Sequence, residues 1–501
     1  MPKTLSTTNR LNHIDTFKAK ATEIVGEANV IMGAAGVKEN LLKEFLKEQR
    51  GNFNSQCLAV VMPNSTIEAA QIVSLCNQYE VAMVPQGGNT GLVGGSVAQE
   101  NQIILSSRNL SKILAIDPKN HSLIAQSGVV LQDLQTYAKN HNLFFPLQLP
   151  SQKWCTIGGN FATNAGGTNV IKYGLTRDLA LGIEVVLPNG HIYSDLNILR
   201  KRNIGPELKH LFIGGEGSLG FITAVACKLF PCVPRKIHIL AGLTDSSHLD
   251  EVFVKLYDKF FSFISAYEIF NQNAVDMVLN NCKDIYFPLN QKLTKHDKSW
   301  YILITLDLPV KDQDFFNYIF ALVNANLKDN KNLNDYIISE EEKIWDLRYN
   351  IPQAQNLSGP SLKHDISLPI SKINHFLKNM LDQLQLHYPG QLKPVVFGHM
   401  GDGNLHFNIS QASNNNLASN NLKQELILPH TNFKNLKSEI KKVIIEHTMA
   451  LNGTFSAEHG IGLIHKIEME NLYKEQVQSI KMLKELFDPN NLFNPNKIIG
   501  K

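Results

Sequence analysis

Glycines crowd into three loops in the first half of this 501-residue chain, and this distribution constrains the fold more than any other feature. The first loop, residues 85–97, reads PQGGNTGLVGGSV and has five glycines within positions 87–95. Dense glycine permits positive φ angles and lets successive backbone N–H groups form a concave anion site. The Walker motif GxxxxGK[ST] does not occur, so a P-loop is not predicted. A glycine-rich loop without chemical use is the alternative interpretation.

The second and third loops narrow the class of ligand. Residues 157–190 combine small residues with Asn and Thr side chains, which could thread along a large flat ligand. Residues 215–220 form a literal GxGxxG, but a Rossmann fingerprint needs a helix after it. The sequence that follows, FITAVACKLFP, predicts a strand. We therefore exclude a Rossmann nicotinamide site and predict a dinucleotide held mainly by backbone.

Length and composition indicate a folded protein of two or three domains. Lys plus Arg total 48 against 45 for Asp plus Glu, and a net charge of +3 argues against a nucleic-acid-binding protein. Two prolines in KLFPCVPRK, followed by a glycine-poor stretch, predict a boundary near residue 232. We expect domains at 1–232 and 233–450 and a C-terminal segment at 451–501.

Apolar periodicity predicts a mixed α/β pattern. The predicted strands are residues 58–62, 81–84, 102–105, 123–126, 181–187, 221–228 and 300–308. The predicted helices are residues 66–78, 131–141, 312–326 and 433–451. The polar, Asn-rich residues 411–424 predict an exposed loop.

The cysteines and the N-terminus predict a cytoplasmic location. Six scattered cysteines without a CxxC pair are typical of reduced thiols. The N-terminal residues lack the apolar stretch of a secretory signal, and no apolar run approaches the roughly 20 residues that cross a bilayer.

Two histidines flank a predicted hairpin turn in VVFGHMGDGNLHFNI, residues 395–409. A two-residue turn at Asp402-Gly403 would place His399 opposite His406, with Cβ atoms about 5 Å apart. Both could then coordinate one metal ion, and catalytic Zn²⁺ commonly takes three protein ligands. A third could come from Glu458 and His459, provided that a loop carries them. A histidine pair without a metal is the alternative.

Two cations flank a predicted polar loop at residues 353–360. Arg348 and Lys363 could together bind a carboxylate, because a carboxylate suits a fork-shaped guanidinium and a second positive charge. The alternative for either residue is a surface salt bridge.

Several motifs in a fixed order resemble a known family. The runs PQGGNTGLVGGSV, IGGNFATNAGG…KYG and GGEGSLGFIT resemble the FAD-binding domain of the vanillyl-alcohol oxidase/PCMH superfamily. The second half resembles the FAD-linked oxidase C-terminal domain. From about residue 40 onward the chain is similar to D-2-hydroxyacid dehydrogenases, which include D-lactate and D-2-hydroxyglutarate dehydrogenases and the glycolate oxidase catalytic subunit. The resemblance implies an α+β fold, with a PCMH-type FAD-binding domain and a cap domain that contains an antiparallel sheet.

The resemblance also implies how FAD is held. Residues 85–96 would wrap the pyrophosphate, and the other loops would line the isoalloxazine and ribityl. Asn89 and Thr90 stand where a covalently linking His occurs in some members, so we predict non-covalent FAD. The implied FAD contacts are Pro85, Gly87, Gly88, Asn89, Thr90, Gly91, Gly95, Ser96, Ile157, Gly158, Asn160, Thr163, Asn164, Gly167, Gly217, Gly220 and Ile222.

The motif HxGDGNxH followed by EHG matches the family's metal and base positions. It implies that His399, His406 and Glu458 bind a divalent metal, Zn²⁺ or Mn²⁺, and that His459 is the catalytic base. Arg348 and Lys363 match the family's substrate-carboxylate positions. Pro352 stands where some 2-hydroxyglutarate dehydrogenases have Thr, which weakens the case for hydroxyglutarate over lactate.

The implied activity is oxidation of a D-2-hydroxyacid, D-2-hydroxyglutarate or D-lactate, to the 2-oxoacid. The metal would assist deprotonation, and flavin N5 would receive the hydride. Electrons would pass to a quinone, an electron-transfer flavoprotein or a cytochrome. A quinone would imply only peripheral membrane contact, and a homodimer is compatible with the sequence. The alternatives are another flavin-dependent alcohol or sugar oxidase of the superfamily and a non-catalytic flavin- or metal-binding protein.

Overall fold

The computed structural model describes residues 7–33, 39–290, 299–411 and 430–500. The chain forms two compact units. The first unit comprises Met1–Gly166, Gly174–Cys232 and Glu458–Lys501, and the second comprises Gly167–Tyr173 and Val233–Ala457.

The regular elements are numbered in chain order. The helices are α1 Thr7–Val25, α2 Glu39–Leu46, α3 Thr66–Tyr79, α4 Leu131–Lys139, α5 Ile157–Ala162, α6 Val170–Tyr173, α7 Lys209–Phe212, α8 Leu249–Phe260, α9 Gln272–Asn281, α10 Gln313–Lys328, α11 Asp346–Tyr349, α12 Ile351–Leu357, α13 Ile373–His387, α14 His430–Ala450, α15 Lys466–Leu472 and α16 Lys474–Phe487. The strands are β1 Val30–Met32, β2 Ala59–Val61, β3 Ala82–Gln86, β4 Gln102–Ser106, β5 Ile113–Asp117, β6 Ser122–Gln126, β7 Leu143–Phe144, β8 Ala180–Val186, β9 Ile192–Asp195, β10 Phe221–Lys228, β11 Phe230–Pro231, β12 Arg235–Leu243, β13 Ile264–Asn271, β14 Trp300–Leu308, β15 Asp335–Ser339, β16 Ser361–Leu362, β17 Asp365–Ser367, β18 Leu392–His399 and β19 Asn404–Gln411.

The first unit is built around two sheets. One has the order β1-β2-β4-β3, in which β2 and β3 run parallel to β4. Every residue of β4 is buried, so its three central residues, Ile103 to Leu105, are all apolar and do not alternate with polar ones. The other sheet is antiparallel, with the order β5-β6-β10-β8-β9. Strand β10 follows the GxGxxG directly, which confirms that a strand and not a helix follows this motif.

The second unit is built on one eight-stranded antiparallel sheet, in which β15-β12-β14-β13-β18-β19-β16 are neighbours and β17 also pairs with β19. Apolar side chains on one face, such as Ile269 and Phe407, share a core with helices α8, α10, α13 and α14. The other face has a smaller core with α9, α11 and α12, which includes Phe270 and Phe397. Since both faces are covered, β14 is apolar along most of its length.

Residues 167–173 lie within the second glycine loop in sequence but belong to the second unit. The Tyr173 hydroxyl donates to Asp307 at 3.0 Å, and Lys172 Nζ lies 3.4 Å from the same carboxylate. Ser265 donates to the other oxygen of Asp307 at 2.9 Å. Both oxygens of this carboxylate therefore have partners, and one of them holds residues 172 and 173 against the second unit.

The fold class expected from the sequence is confirmed, but the polar loop predicted after Pro352 is wrong. Residues 353–360 were predicted as a loop, and instead α12 covers Ile351–Leu357. Pro352 lies in the first turn of this helix, where its missing N–H is not needed. The predicted loop at 411–424 lies outside the described residues apart from Gln411, which ends β19.

All six cysteines lie in described parts of the chain and form no disulfide, as predicted. Among the described helices, none has an apolar stretch long enough to cross a bilayer.

Candidate functional site

The glycine loops meet in the first unit, at contacts that only glycine allows. A Cβ atom on Gly87 would lie 2.3 Å from Thr156 Oγ1, and one on Gly88 would lie 2.0 Å from the Trp154 carbonyl oxygen. Gly217 has φ of 70°, and its Cβ would lie 2.9 Å from a ring atom of Pro85. The first loop is therefore wedged between the segment that leads into α5 and the GxGxxG segment.

Three buried polar atoms mark the same region as a ligand site. Ser127 Oγ, Thr156 Oγ1 and Asn160 Oδ1 have no hydrogen-bond partner within the described ranges. Each such atom costs about 1–3 kcal/mol if it stays unpaired. Gly87 lies against Thr156, and Gly158 lies against Ser127, where a Cβ would come within 2.3 Å of the serine side chain. Glycine backbone and unpaired polar atoms suit a large polar cofactor, so these residues fit FAD.

Two of the implied FAD contacts use their side chains for structure. The Asn89 amide donates to the carbonyl oxygens of Phe45 and Lys47 at 3.2 and 2.8 Å, at the C-terminal end of α2. The last carbonyl groups of a helix lack hydrogen-bond donors within the helix, and the Asn89 amide supplies a donor to them. Ser96 Oγ donates to Asn89 Oδ1 at 2.8 Å. Asn89 and Ser96 could therefore contact FAD mainly through their backbone.

Other implied contacts also hold the loops in shape. The backbone N–H groups of Ile157 and Gly158 donate to the carbonyls of Val129 and Ser127. Thr163 donates to the Gly159 carbonyl at 3.0 Å, and Asn164, with φ of 49°, accepts from the Arg177 N–H at 2.9 Å.

The remaining implied FAD contacts differ in their surroundings. Thr90 is half-buried, Gly91 and Gly95 lie in the first loop with Gly91 exposed, and Gly220 packs against Val185. Ile222 is buried in β10, and Gly167 belongs to the second unit.

Glu458 and His459 lie on an irregular loop of the first unit. A loop was expected here, because adjacent residues on a regular strand would point to opposite faces. His459 Nε2 is 3.7 Å from Glu458 Oε1. A Cβ on Gly166 would lie 3.4 Å from Glu458 Oε2, and the Leu463 N–H donates to the Val93 carbonyl at 2.8 Å. The loop therefore packs against two of the glycine loops within the first unit.

Glu216, the acidic residue of the GxGxxG, anchors this loop. Its two carboxylate oxygens accept the backbone N–H groups of Ile461 and Gly462 at 2.7 and 2.9 Å. Burial raises the pKa of Glu216, although these two hydrogen bonds and the charge of Lys497 act against the rise. Asn494 adds a hydrogen bond to the Glu216 carbonyl at 2.8 Å.

The histidine hairpin of the second unit has a different register from the predicted one. Residues 400–403 form a four-residue turn, closed by Gly403 at φ of 83°, so His399 pairs with Asn404 and His406 pairs with Phe397. The predicted pairing of His399 with His406 is wrong, because Met400 is fully buried in the core and joins the turn. The shift is two residues, and side chains alternate with a period of two. Both histidines therefore still share one face, with ring centroids 5.5 Å apart.

A carboxylate lies next to the Nδ1 atom of each histidine. Glu268 on β13 pairs with His399 across the sheet, and its Oε1 lies 2.5 Å from His399 Nδ1. Asp365 on β17 pairs with His406, and its Oδ1 lies 3.5 Å from His406 Nδ1. Metal-binding histidines commonly use their second ring nitrogen in this way. Two imidazoles on one face with such partners fit a divalent metal.

Arg348 shares the carboxylate of Glu268. Arg348 Nε donates to Glu268 Oε2 at 2.6 Å, and the guanidinium lies 4.7 Å from the centre of the Phe397 ring. Arg348 is 5% exposed and Glu268 is fully buried. Burial alone would raise the pKa of Glu268, but Arg348 and His399 outweigh it and hold this pKa below its ordinary value.

Lys363 is half-buried, and its Nζ donates to Asn356 Oδ1 of α12 at 2.6 Å. Three further residues of this region, Glu268, Asp365 and Asn404, are not among the predicted site residues. The Asn404 amide donates to Asp365 at 2.8 Å. A single acidic residue within the apolar run ISAYEIFN was a signal that could have identified Glu268.

Comparisons with known proteins show the family of the chain. Residues 57–195 match the family described as FAD binding domain, and residues 237–498 match FAD linked oxidases, C-terminal domain. A D-2-hydroxyglutarate–pyruvate transhydrogenase of Saccharomyces cerevisiae is 32% identical over 91% of this chain and 88% of its own. A mitochondrial D-2-hydroxyglutarate dehydrogenase of Arabidopsis thaliana is 31% identical over 95% and 80%, and a D-2-hydroxyglutarate dehydrogenase of Stutzerimonas stutzeri is 30% identical over 92% and 94%.

Among solved structures, p-cresol methylhydroxylase with substrate bound aligns with a TM-score of 0.73 and 16% identity, covering 100% of this chain and 99% of that one. An alkyldihydroxyacetonephosphate synthase aligns at 0.70 and 16%, covering 96% and 85%. At this level of identity the likeness concerns the fold.

Proposed function

Because the chain belongs to the FAD-linked oxidases and is an FAD-dependent dehydrogenase of D-2-hydroxyacids, we propose that its substrate is D-2-hydroxyglutarate, oxidised with the help of a divalent metal. The names of the relatives from yeast, plant and bacterium support this choice of acid over D-lactate. The observation that carries the proposal is one sheet face of the second unit, on which His399 and His406 lie beside buried carboxylates and against which Arg348 of α11 binds Glu268.

The glycine loops would hold FAD without a covalent bond. Ser127, Thr156 and Asn160 offer the polar atoms, and the glycines at 87, 88 and 158 let the surrounding loops approach one another closely enough to bring these atoms together. When bound, FAD supplies a hydride acceptor at N5.

His399, His406 and Glu458 would hold the metal, Zn²⁺ or Mn²⁺. A divalent cation supplies Lewis acidity toward a substrate oxygen. Within the second unit, the Ala457 N–H donates to the Asp365 carbonyl at 3.2 Å. His459, as general base, would take the hydroxyl proton of the substrate.

Arg348 and Lys363 would bind the substrate carboxylate. Since Arg348 Nε is bonded to Glu268, the substrate would meet the outer nitrogens of the guanidinium. Glu268 would thereby fix the plane of the Arg348 guanidinium before the substrate binds. This would lower the conformational entropy that the Arg348 side chain loses on binding.

The electron acceptor and the cellular location stay predictions. A quinone, an electron-transfer flavoprotein or a cytochrome could accept electrons, and the name of the yeast relative adds pyruvate to the acceptors to be tested. The sequence predicts the cytoplasm, whereas the plant relative is named as mitochondrial.

Steady-state kinetics with an artificial dye acceptor test the substrate. We expect kcat/KM for D-2-hydroxyglutarate to exceed that for D-lactate, D-malate and glycolate, and the L-enantiomers to be inactive. Arg348→Lys should raise KM by about 10-fold or more, since hydrogen bonds to charged groups contribute about 1.5–3 kcal/mol. A higher kcat/KM for D-lactate would overturn the choice of acid, and an unchanged KM would remove Arg348 from the carboxylate site.

A further inference from the structure

One buried carboxylate contacts both a proposed metal ligand and a proposed substrate-binding residue. Glu268 is fully buried in the middle of β13, and it uses one oxygen for His399 and the other for Arg348, at 2.5 and 2.6 Å. We propose that Glu268 is a positioning residue that fixes the tautomer of His399 for metal binding and the orientation of Arg348 for carboxylate binding. This inference rests on the proposed function above.

The backbone places Glu268 where it can act on both residues. Glu268 and His399 are direct cross-strand partners, so their side chains leave the sheet on the same face. Arg348 comes from α11, on the other side of the carboxylate, and its guanidinium packs on Phe397, which lies two residues before His399. Because Glu268 has no exposure to solvent, water does not compete for either oxygen.

The hydrogen bond to Glu268 selects one form of the His399 ring. A carboxylate only accepts hydrogen bonds, so His399 must carry its proton on Nδ1. A neutral ring with a proton on Nδ1 has its lone pair on Nε2, and this lone pair is what a metal binds. Glu268 would therefore hold His399 ready for the metal.

The substitution Glu268→Gln should reverse this selection without changing the size of the side chain. Arg348 Nε can only donate, so it would take the single oxygen of the glutamine. The glutamine NH₂ would then face His399 Nδ1, which must accept. The proton of His399 would move to Nε2, where it blocks the metal.

The direct test is the affinity for Zn²⁺ alone, measured on the FAD-loaded protein by competition with a chromogenic chelator. We expect Glu268→Gln to bind Zn²⁺ about 10–100-fold more weakly than the wild type, the range found for lost outer partners of metal ligands. Addition of Zn²⁺ should restore kcat, while KM for the hydroxyacid should stay raised because Arg348 has lost its charged partner. Wild-type affinity in Glu268→Gln would overturn the proposal.

Asp307→Asn is the matched control. Asp307 is a buried carboxylate of the same sheet, bonded to Ser265 and Tyr173 rather than to the proposed ligands. It should keep wild-type Zn²⁺ affinity even if it unfolds more easily. An equal loss of affinity in both variants would mean general destabilisation and would overturn a specific role for Glu268.

A second variant covers the case in which Glu268→Gln does not fold. Glu268→Asp keeps the charge but is one methylene shorter, so it should reach only one of its two partners. We expect a rise in either the Zn²⁺ dissociation constant or KM, and wild-type values of both would overturn the proposal. If the wild type itself binds no Zn²⁺ or Mn²⁺, the metal part of the proposed function fails, which is a different result from equal binding by wild type and variant.

Discussion

Glu216 accepts a hydrogen bond from the backbone N–H of Ile461 at 2.7 Å, although 245 positions separate the two residues in the sequence. Its second oxygen accepts the Gly462 N–H. A Cβ on Gly460 would lie 2.7 Å from the same carboxylate, so the loop passes very close to it. The turn directly after Glu458 and His459 is thus fixed by a residue of the third glycine loop.

We expect Glu216→Gln to lower both stability and kcat. An amide has one acceptor oxygen, so one of the two N–H groups loses its partner and faces the NH₂ group instead, at a cost of about 1–3 kcal/mol. The loop that carries His459 would loosen, and kcat should fall more than KM rises. Urea unfolding and steady-state kinetics measure the two effects.

Glu184→Gln is the control for this substitution, because Glu184 in β8 accepts hydrogen bonds only from the hydroxyls of Thr66 and Thr223 among its described partners. Those hydroxyls can rotate and adapt to an amide. An equal fall in kcat for both variants would contradict the anchoring role of Glu216.

FAD should leave the protein on denaturation. Asn89 stands where a linking histidine would be expected, and its amide is bonded to the end of α2. Acid precipitation should leave the yellow colour in the supernatant, and the protein band on a denaturing gel should not fluoresce. A fluorescent band would show a covalent bond elsewhere in the loops.

His238 should make stability depend on pH. It is buried beside Thr305 and Trp345, whose Nε1 donates to His238 Nδ1 at 3.1 Å. Burial and the charge of Lys236, against the charge of Asp307, lower the pKa of His238 to about 4. Between this value and about 6.5, the pKa of an unperturbed histidine, the unfolded chain binds a proton that the folded chain does not. Stability is therefore lost as the pH falls through this window.

Urea unfolding of wild type and His238→Gln at pH 7.5 and pH 5 isolates this contribution. The wild type should lose roughly 2 kcal/mol more than the variant between the two pH values, since each unit inside the window is worth about 1.4 kcal/mol. Equal losses would show that His238 does not titrate in this range.

Removing a proposed metal ligand should remove the metal. His399→Ala and His406→Ala should each contain far less than one Zn²⁺ or Mn²⁺ per chain by elemental analysis. Their kcat should fall by more than about 100-fold. Loss of a residue that only hydrogen-bonds to a metal ligand already lowers metal affinity or activity by about 10–100-fold, and loss of the ligand itself should do more. His387→Ala, on α13, is the control and should keep both metal and kcat. Full metal content in His399→Ala would exclude His399 as a ligand.

Local sequence signals predicted the elements well, and distant contacts account for what they missed. Strands β10 and β14 have the predicted bounds, because apolar runs between turn residues define them. The Asp-Gly signal located the hairpin but not the length of its turn, which depends on burial of Met400 in a core formed by distant residues. His399 and His406 still lie on one face of the sheet because the register differs by two residues from the predicted one, and side chains alternate between faces with a period of two.

The site residues that escaped prediction act across long sequence separations. Glu268 lies 131 positions from His399 and 80 from Arg348, so no spacing rule connects them. Asn89 was implied as an FAD contact from its place in the motif, and its side-chain bond to the end of α2 depends on how α2 packs.

Anaerobic reduction of the flavin tests the central claim most directly. The purified protein would be mixed without oxygen with D-2-hydroxyglutarate, D-lactate, D-malate, glycolate and the L-enantiomers, before and after treatment with EDTA. We predict rapid bleaching of the flavin absorbance by D-2-hydroxyglutarate, its loss after EDTA, and its return with Zn²⁺ or Mn²⁺. Bleaching that is indifferent to EDTA would contradict the metal site, and a flavin that stays yellow with every acid would contradict the proposed substrate class.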